Sequence, residues 1–195
     1  MEVKRTIKTD VDSFELGDVI TFKLKDGEKV QAKAVKQTDE GMLFITVDSL
    51  KDDYQMFEYP VGSREINYFN SDLRHHLNGE ILDRFPDEIR RRMVGMRIEN
   101  TDTFDLLRIP TGREIFGKNP CDKKESDTVK QFKCMKNRRN RIAFQGYKTG
   151  AWGWYWLQNR VKDTVSKFCM VNYDGLARCD DAFFSFGVRP IFLLS

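Results

Sequence analysis

Trp152-Gly-Trp-Tyr-Trp-Leu157, Phe168-Cys-Met-Val-Asn-Tyr-Asp-Gly175 and Ala182-Phe-Phe-Ser-Phe-Gly-Val-Arg-Pro190, closed by Ile-Phe-Leu-Leu-Ser195, decide the reading of this chain. Residues 168–171 and 176–179 have strand composition and flank Asn172-Tyr-Asp-Gly175, where Asp-Gly marks a tight hairpin. Residues 191–194 form a last apolar strand opened by Pro190, a residue tolerated at a strand's first position. Between them Asp180-Asp-Ala-Phe-Phe-Ser-Phe-Gly187 follows neither a helical nor a strand period and reads as a loop. Burying three phenylalanines from one loop is difficult, so Phe183, Phe184 and Phe186 are candidates for display. Trp152, Trp154 and Trp156 recur at a period of two, which predicts one shared face turned to the core, with Tyr155 pointing the other way to the surface.

Working back from the tail, the N-terminal part predicts an antiparallel meander. Residues 18–25 and 29–35 alternate apolar and polar around Asp26-Gly27, and residues 42–47 are nearly all apolar, as in a strand covered on both faces. A helix follows: Asn70-Ser-Asp72 offers N-cap residues ahead of Leu73, Leu77 and Ile81, and Gly79 should end or weaken it. A second helix is expected over 85–93, with Pro86 in its first turn, Ile89 and Met93 facing inward and Arg90, Arg91 and Arg92 solvated. Residues 104–109 are strand-like, and residues 119–130 predict a polar loop. These elements make an α+β chain of one domain over 1–195: N-terminal strands in 1–60, two helices in 70–96, and a loop-rich terminal sheet in 150–195.

Composition excludes some functions. With 40% hydrophobic and 32% charged residues and no apolar run of spanning length, no membrane span is expected. Met1-Glu-Val-Lys-Arg-Thr-Ile-Lys-Thr-Asp10 lacks the apolar core of a signal peptide, so synthesis and folding in a cytoplasm are the default expectation. Cys121, Cys134, Cys169 and Cys179 lack metal-ligand spacing and are sparse for a chain of 195 residues, which favours free thiols. His75 and His76 are the only histidines, and neighbours on a helix diverge too far to hold one ion. No phosphate loop, nucleophile elbow or metalloprotease helix is present, so neither a catalytic residue, a metal nor a cofactor is expected. The net charge is only +3, but Lys123, Lys124, Lys130, Lys133, Lys136, Arg138, Arg139, Arg141 and Lys148 crowd one segment, with Phe132, Phe144 and Tyr147 interleaved. That pattern makes nucleic acid or an acidic surface the alternative partner.

Trp154-Tyr-Trp-Leu157, Val171-Asn172, Asp174-Gly-Leu-Ala177, Ala182, Ser185 and Gly187-Val-Arg-Pro190 resemble the closing segment of a bacterial and phage domain family. That family has a C-type lectin-like fold of the formylglycine-generating-enzyme type. Ser71-Asp-Leu-Arg74, Leu77-Asn-Gly79, Asn140-Arg-Ile142 and the opening meander also look like it, so the resemblance covers most of the chain. It implies a receptor-recognition protein rather than an enzyme, similar to the variable proteins of diversity-generating retroelements and to phage tropism determinants. In those proteins mutagenesis of AAC codons scatters substitutions that never give Lys, Gln, Glu, Met or Trp. Tyr173, Leu176, Arg178, Cys179, Asp180, Asp181, Phe183, Phe184 and Phe186 all fall in the permitted set, whereas Met170 does not. Ala182, Ser185 and Gly187 stand between them as fixed scaffold.

The expected ligand-binding residues are therefore Tyr155, Tyr173, Leu176, Arg178, Cys179, Asp180, Asp181, Phe183, Phe184 and Phe186. The expected partner is a protein or cell-surface ligand, homo-oligomer formation stays open, and incorporation into a phage virion is one implied location. A formylglycine-generating-type oxidase is the remaining alternative, resting on Cys169 and Cys179 as neighbours across the hairpin.

Overall fold

Phe22, Val30, Ala32, Ala34, Met42 and Phe44 fall at alternate positions of three successive segments, and a period of two sends all of them to one side of a sheet. In the computed structural model, which describes residues 13–59, 66–98, 101–121, 128–147 and 150–195, these segments are β1 (Val19–Lys23), β2 (Lys29–Thr38) and β3 (Gly41–Thr46). They pair as the expected antiparallel meander, and Gly27 supplies the left-handed turn residue with φ of 88°. The β2–β3 register shifts between Ala34 and Lys36, and past this bulge Val35 joins the core on the opposite face. The stretch Met1–Asp10 lies outside the described residues, as do Lys123, Lys124 and Lys148.

After β4 (Tyr54–Gln55), helix α1 (Asp72–His76) starts at Ser71, whose hydroxyl accepts from the Arg74 amide. A widened turn at Leu77–Ile81, kinked at Gly79, carries the helix into α2 (Leu82–Arg84), so Gly79 bends the element rather than ending it. Leu73, Leu77 and Ile81 are buried. The motif residues of this helix are fasteners. Arg74 donates twice to Asp105, at 2.8 and 2.9 Å, while Asn78 accepts from the Leu106 and Leu107 amides and donates to the Leu107 carbonyl.

The second helix is shorter than its sequence pattern suggests. Helix α3 (Asp87–Arg90) ends before Met93, and residues 93–96 are not helical: Met93 and Val94 form β5 (Met93–Val94), which pairs with the terminal strand. Hydrogen bonding to that strand overrides the helical period. A short hairpin follows, β6 (Met96–Arg97) with β7 (Phe104–Asp105). Helix α4 (Gly112–Phe116) opens with a capping box formed by Thr111 and Glu114. Next come β8 (Ala143–Phe144), β9 (Trp152–Gly153), β10 (Tyr155–Arg160), β11 (Lys167–Val171), β12 (Ala177–Asp181), β13 (Ser185–Phe186) and β14 (Ile191–Leu194).

The chain is of mixed class, about 35% strand and 20% helix, around a curled antiparallel sheet. Its main sheet runs β1-β2-β3-β14-β5, so the last strand is inserted beside β3 and is buried along its whole length. In a second sheet, β10-β11-β12, the strands β10 and β11 are covered on both faces. Trp156, Phe168 and Met170 face the core shared with the helices, whereas Tyr155, Leu157, Cys169 and Val171 face a second core with Ile115, Phe132 and Met135. This double burial holds the loops at the end of the small sheet rigidly in place. No helix among the described residues is long and apolar enough to cross a membrane.

Candidate functional site

The hairpin between β11 and β12 is built on Asn172. Its side-chain oxygen accepts from the amides of Asp174 and Leu176 at 3.1 and 2.8 Å, and Gly175 adopts φ of 72°. A Cβ at Gly175 would lie 2.8 Å from the Arg138 carbonyl, so backbone conformation and space both require glycine. The turn therefore holds Tyr173 and Leu176 out, and Tyr173 is 50% exposed.

The loop from Ala182 to Phe186 is clamped from beneath. The buried Ala182 donates to the Ser166 carbonyl and accepts from the Met56 and Phe57 amides, Gln55 donates to the Phe183 carbonyl, and β13 pairs with β4. A Cβ at Gly187 would meet Ser49 and the Trp154 carbonyl at 2.8 to 2.9 Å, so that position too is fixed by packing. Above this clamp Phe186 stacks on Trp154 at 5.8 Å and meets Trp156 edge-on at 4.9 Å. Tyr173 lies 6.0 Å from Trp154 on one side, and Phe184 lies 6.5 Å from Phe186 on the other. The result is an aromatic row, Tyr173–Trp154–Phe186–Phe184, with exposed rings at both ends and half-buried rings between them. Arg178 and Cys179 are exposed on β12, the free edge of the small sheet, while Asp180 and Asp181 are half-buried and Asp181 accepts from the Ser166 hydroxyl.

Several expectations need correction. Tyr155 is not at the surface: it is fully buried, donates from its hydroxyl to the Arg141 carbonyl at 2.8 Å, and accepts from Arg189 at 3.1 Å. Burial pushes its phenol above the usual range, against the pull of the adjacent Arg189. Alternation misled because β10 is covered on both faces, so a residue on either side of it faces a core. The three tryptophans do not share one buried face either. The strand breaks at Trp154, leaving Trp152 on β9 at 56% exposure against Phe144, Trp154 half-buried and Trp156 fully buried, its indole donating to the Tyr54 carbonyl. Of the three loop phenylalanines only Phe184 projects freely; Phe183 and Phe186 pack against the main core. Trp154, read as core, is half-buried against the core and belongs to the row.

The cysteines also differ from expectation. Cys121 and Cys169 form a disulfide with Cα atoms 6.4 Å apart, and only Cys134 and Cys179 are free. Cys169 and Cys179 are paired in register, as the hairpin implied, but the disulfide takes Cys169 away from any two-thiol site. Among the described residues no group of three or more His, Cys, Asp or Glu side chains gathers at metal-binding distance.

The basic segment forms two consecutive 3₁₀ turns, Lys133–Lys136 and Arg138–Arg141. Lys133, Lys136, Arg138 and Arg139 are exposed. The aromatics that interleave with them in sequence are engaged elsewhere: Phe132 is core, Phe144 stacks on Trp152, and Tyr147 lies beneath Lys29.

No curated protein and no solved structure matches this chain. A family described as a domain of unknown function matches residues 40–195, from the third strand of the meander through the aromatic row to the last residue, and the chain therefore belongs to the DUF6273 family.

Proposed function

We propose that this chain is a ligand-recognition protein with a C-type lectin-like scaffold, and that it presents the row Tyr173–Trp154–Phe186–Phe184 and the adjoining β12 edge to a protein or cell-surface partner. The observation that carries the reading is the anchoring of two exposed rings by a stacked pair over a buried tryptophan. Aromatic side chains held rigid before binding lose little entropy on contact and dominate many interfaces. Exposed Tyr173, Leu176, Arg178, Cys179 and Phe184 alternate with packing-fixed Gly175, Ala182 and Gly187, which is how a retroelement-diversified tail separates variable from constant positions. The disulfide supports work outside a reducing cytoplasm, as on a virion or a cell surface.

The test has two parts. Sequencing the coding tail in independent isolates should find substitutions confined to C-ending codons at the exposed positions, with an adenine-rich copy of the segment beside a reverse transcriptase gene. An invariant tail with no such copy removes the diversification claim. Arrays of purified cell-surface proteins and glycans should yield a ligand that the wild type retains and a Tyr173→Ser/Phe184→Ser variant loses. A ligand held equally by both removes the aromatic site.

A second reading rests on Lys133, Lys136, Arg138 and Arg139, which are exposed and form no ion pair among the described residues. These cations suit nucleic acid or an acidic surface, and salt-dependent DNA binding is its test.

A further inference from the structure

We propose that the cleft between the outer face of the main sheet and the 133–142 segment binds a small organic anion, with Arg189 as its counter-charge. Arg189 is the most deeply buried arginine among the described residues, 2% exposed, and its hydrogen bonds go to neutral oxygens: the Thr46 carbonyl at 3.0 Å, the Tyr155 hydroxyl at 3.1 Å and the Asn140 carbonyl at 3.4 Å. Its guanidinium lies over the Tyr155 ring at 4.9 Å, and its Nη2 has no acceptor among the described residues. Three part-buried arginines have carboxylate partners, whereas Arg160, whose buried Nε has no partner, and Arg141 hydrogen-bond to carbonyls alone among the described residues. Arg74 is matched to Asp105, Arg84 to Asp26 and Glu28, and Arg108 to Glu114. A buried charge without an opposite charge is costly, and Arg189, unlike Arg141 and Arg160, lines an open cleft from which an anion can supply that charge.

That room is present. Arg189 lines a cleft of about 390 Å³, together with Lys33 and Arg139. The volume falls within the roughly 300–1,000 Å³ of small-molecule sites. Val19, Ile45 and Ile142 supply an apolar wall, and the stacked Phe144–Trp152 pair, 4.2 Å between centroids, supplies a flat one. Asp48 is the one carboxylate on the lining. Its Oδ1 accepts from the Phe144 amide at 3.1 Å, whereas its buried Oδ2 has no donor. The cleft therefore presents three cations, one unsatisfied acceptor and a planar apolar surface. These features select a planar carboxylate or phosphate that also carries a hydrogen-bond donor. The cleft is distinct from the aromatic row, and the inference does not depend on it.

The experiment uses the full chain with indole-3-acetate as the carboxylate probe, adenosine monophosphate as the phosphate probe and tryptamine as a planar cation. Binding is read by calorimetry and by the alkylation rate of Cys134, a half-buried residue of the cleft, in a Cys179→Ser background. At least one anionic probe should bind saturably and slow alkylation, and the preferred probe tells carboxylate from phosphate. Lys33→Ser/Arg139→Ser, a surface variant that keeps the fold, should weaken binding roughly tenfold or more, as expected for losing charge-assisted contacts. Arg189→Lys, where it folds, should weaken it further. Failure of both anions to bind, tryptamine binding as tightly as the anions, or unchanged affinity in the surface double variant would each overturn the proposal.

Discussion

The Phe186 ring lies nearly parallel to Trp154, with an interplanar angle of 14°, and stands edge-on to Trp156. This contact joins the candidate surface to the core, so the loop phenylalanines should separate by role. Phe186→Ser removes a ring that fills space over a buried indole and should cost roughly 1–3 kcal/mol, less than the 3–5 kcal/mol typical of a fully buried ring. Phe184→Ser touches little and should stay within about 0.5 kcal/mol of wild type in urea unfolding. Equal losses at the two positions would mean that Phe184 is not displayed.

The tryptophans give a steeper contrast. Trp156→Ala should cost about 3–5 kcal/mol, because it leaves a large cavity and strips the Tyr54 carbonyl of its indole donor. Trp152→Ala, at an exposed position, should cost no more than about 1 kcal/mol. Paired denaturation curves check both, and the assignment fails if Trp152 proves the more sensitive.

Much of this architecture was legible because it is local. The Asp26-Gly27 and Asp174-Gly175 turns, the period-two strands and the apolar run before the C-terminus each state their structure within a few residues. What stayed hidden is tertiary. Tyr155 is inside because α4 and the 133–136 turn cover the second face of the small sheet, which no alternation on β10 can reveal. Met93 leaves the helical pattern because β14 arrives from the far end of the chain to pair with it. Cys121 and Cys169 are 48 residues apart, and their bond depends on the path between. Helix α4 was a different case: Thr111-Gly-Arg-Glu114 is a capping-box sequence, and the signal was there to be read.

The disulfide should make stability depend on redox state. Closing a loop of 48 residues removes unfolded-state entropy worth about 4 kcal/mol by loop-closure reasoning. Reduction, or replacement of Cys121 and Cys169 together by Ser, should lower the unfolding free energy by a few kcal/mol, while Cys134→Ser should not. Identical melts with and without reductant would show that the bond contributes nothing.

Arg74 and Asp105 form a bidentate pair with Asp105 almost fully buried. Breaking it from one side strands a buried charge. Arg74→Leu should therefore cost about 3–5 kcal/mol, and Arg74→Leu/Asp105→Leu should cost less than the sum of the two single changes. A double-mutant cycle measures this. Additive losses would place the two side chains apart.

Once a ligand for the aromatic row is in hand, its binding should map to a few positions. Tyr173, Arg178 and Phe184 are the exposed aromatic and arginine side chains there, the types that usually dominate an interface, and alanine at a minority of them should cost more than about 1 kcal/mol of affinity without changing the melt. Tyr155→Phe should leave affinity unchanged, since that hydroxyl is spent on Arg141 and Arg189 inside the protein. Replacing Lys133, Lys136 and Arg139 by Ser should also spare it, with Arg138 kept because its backbone and side chain abut the Gly175 turn beside Tyr173. If the basic variant abolished binding while the aromatic variants bound normally, the recognition surface would lie on the 133–141 segment, and the partner would be nucleic acid or an acidic surface.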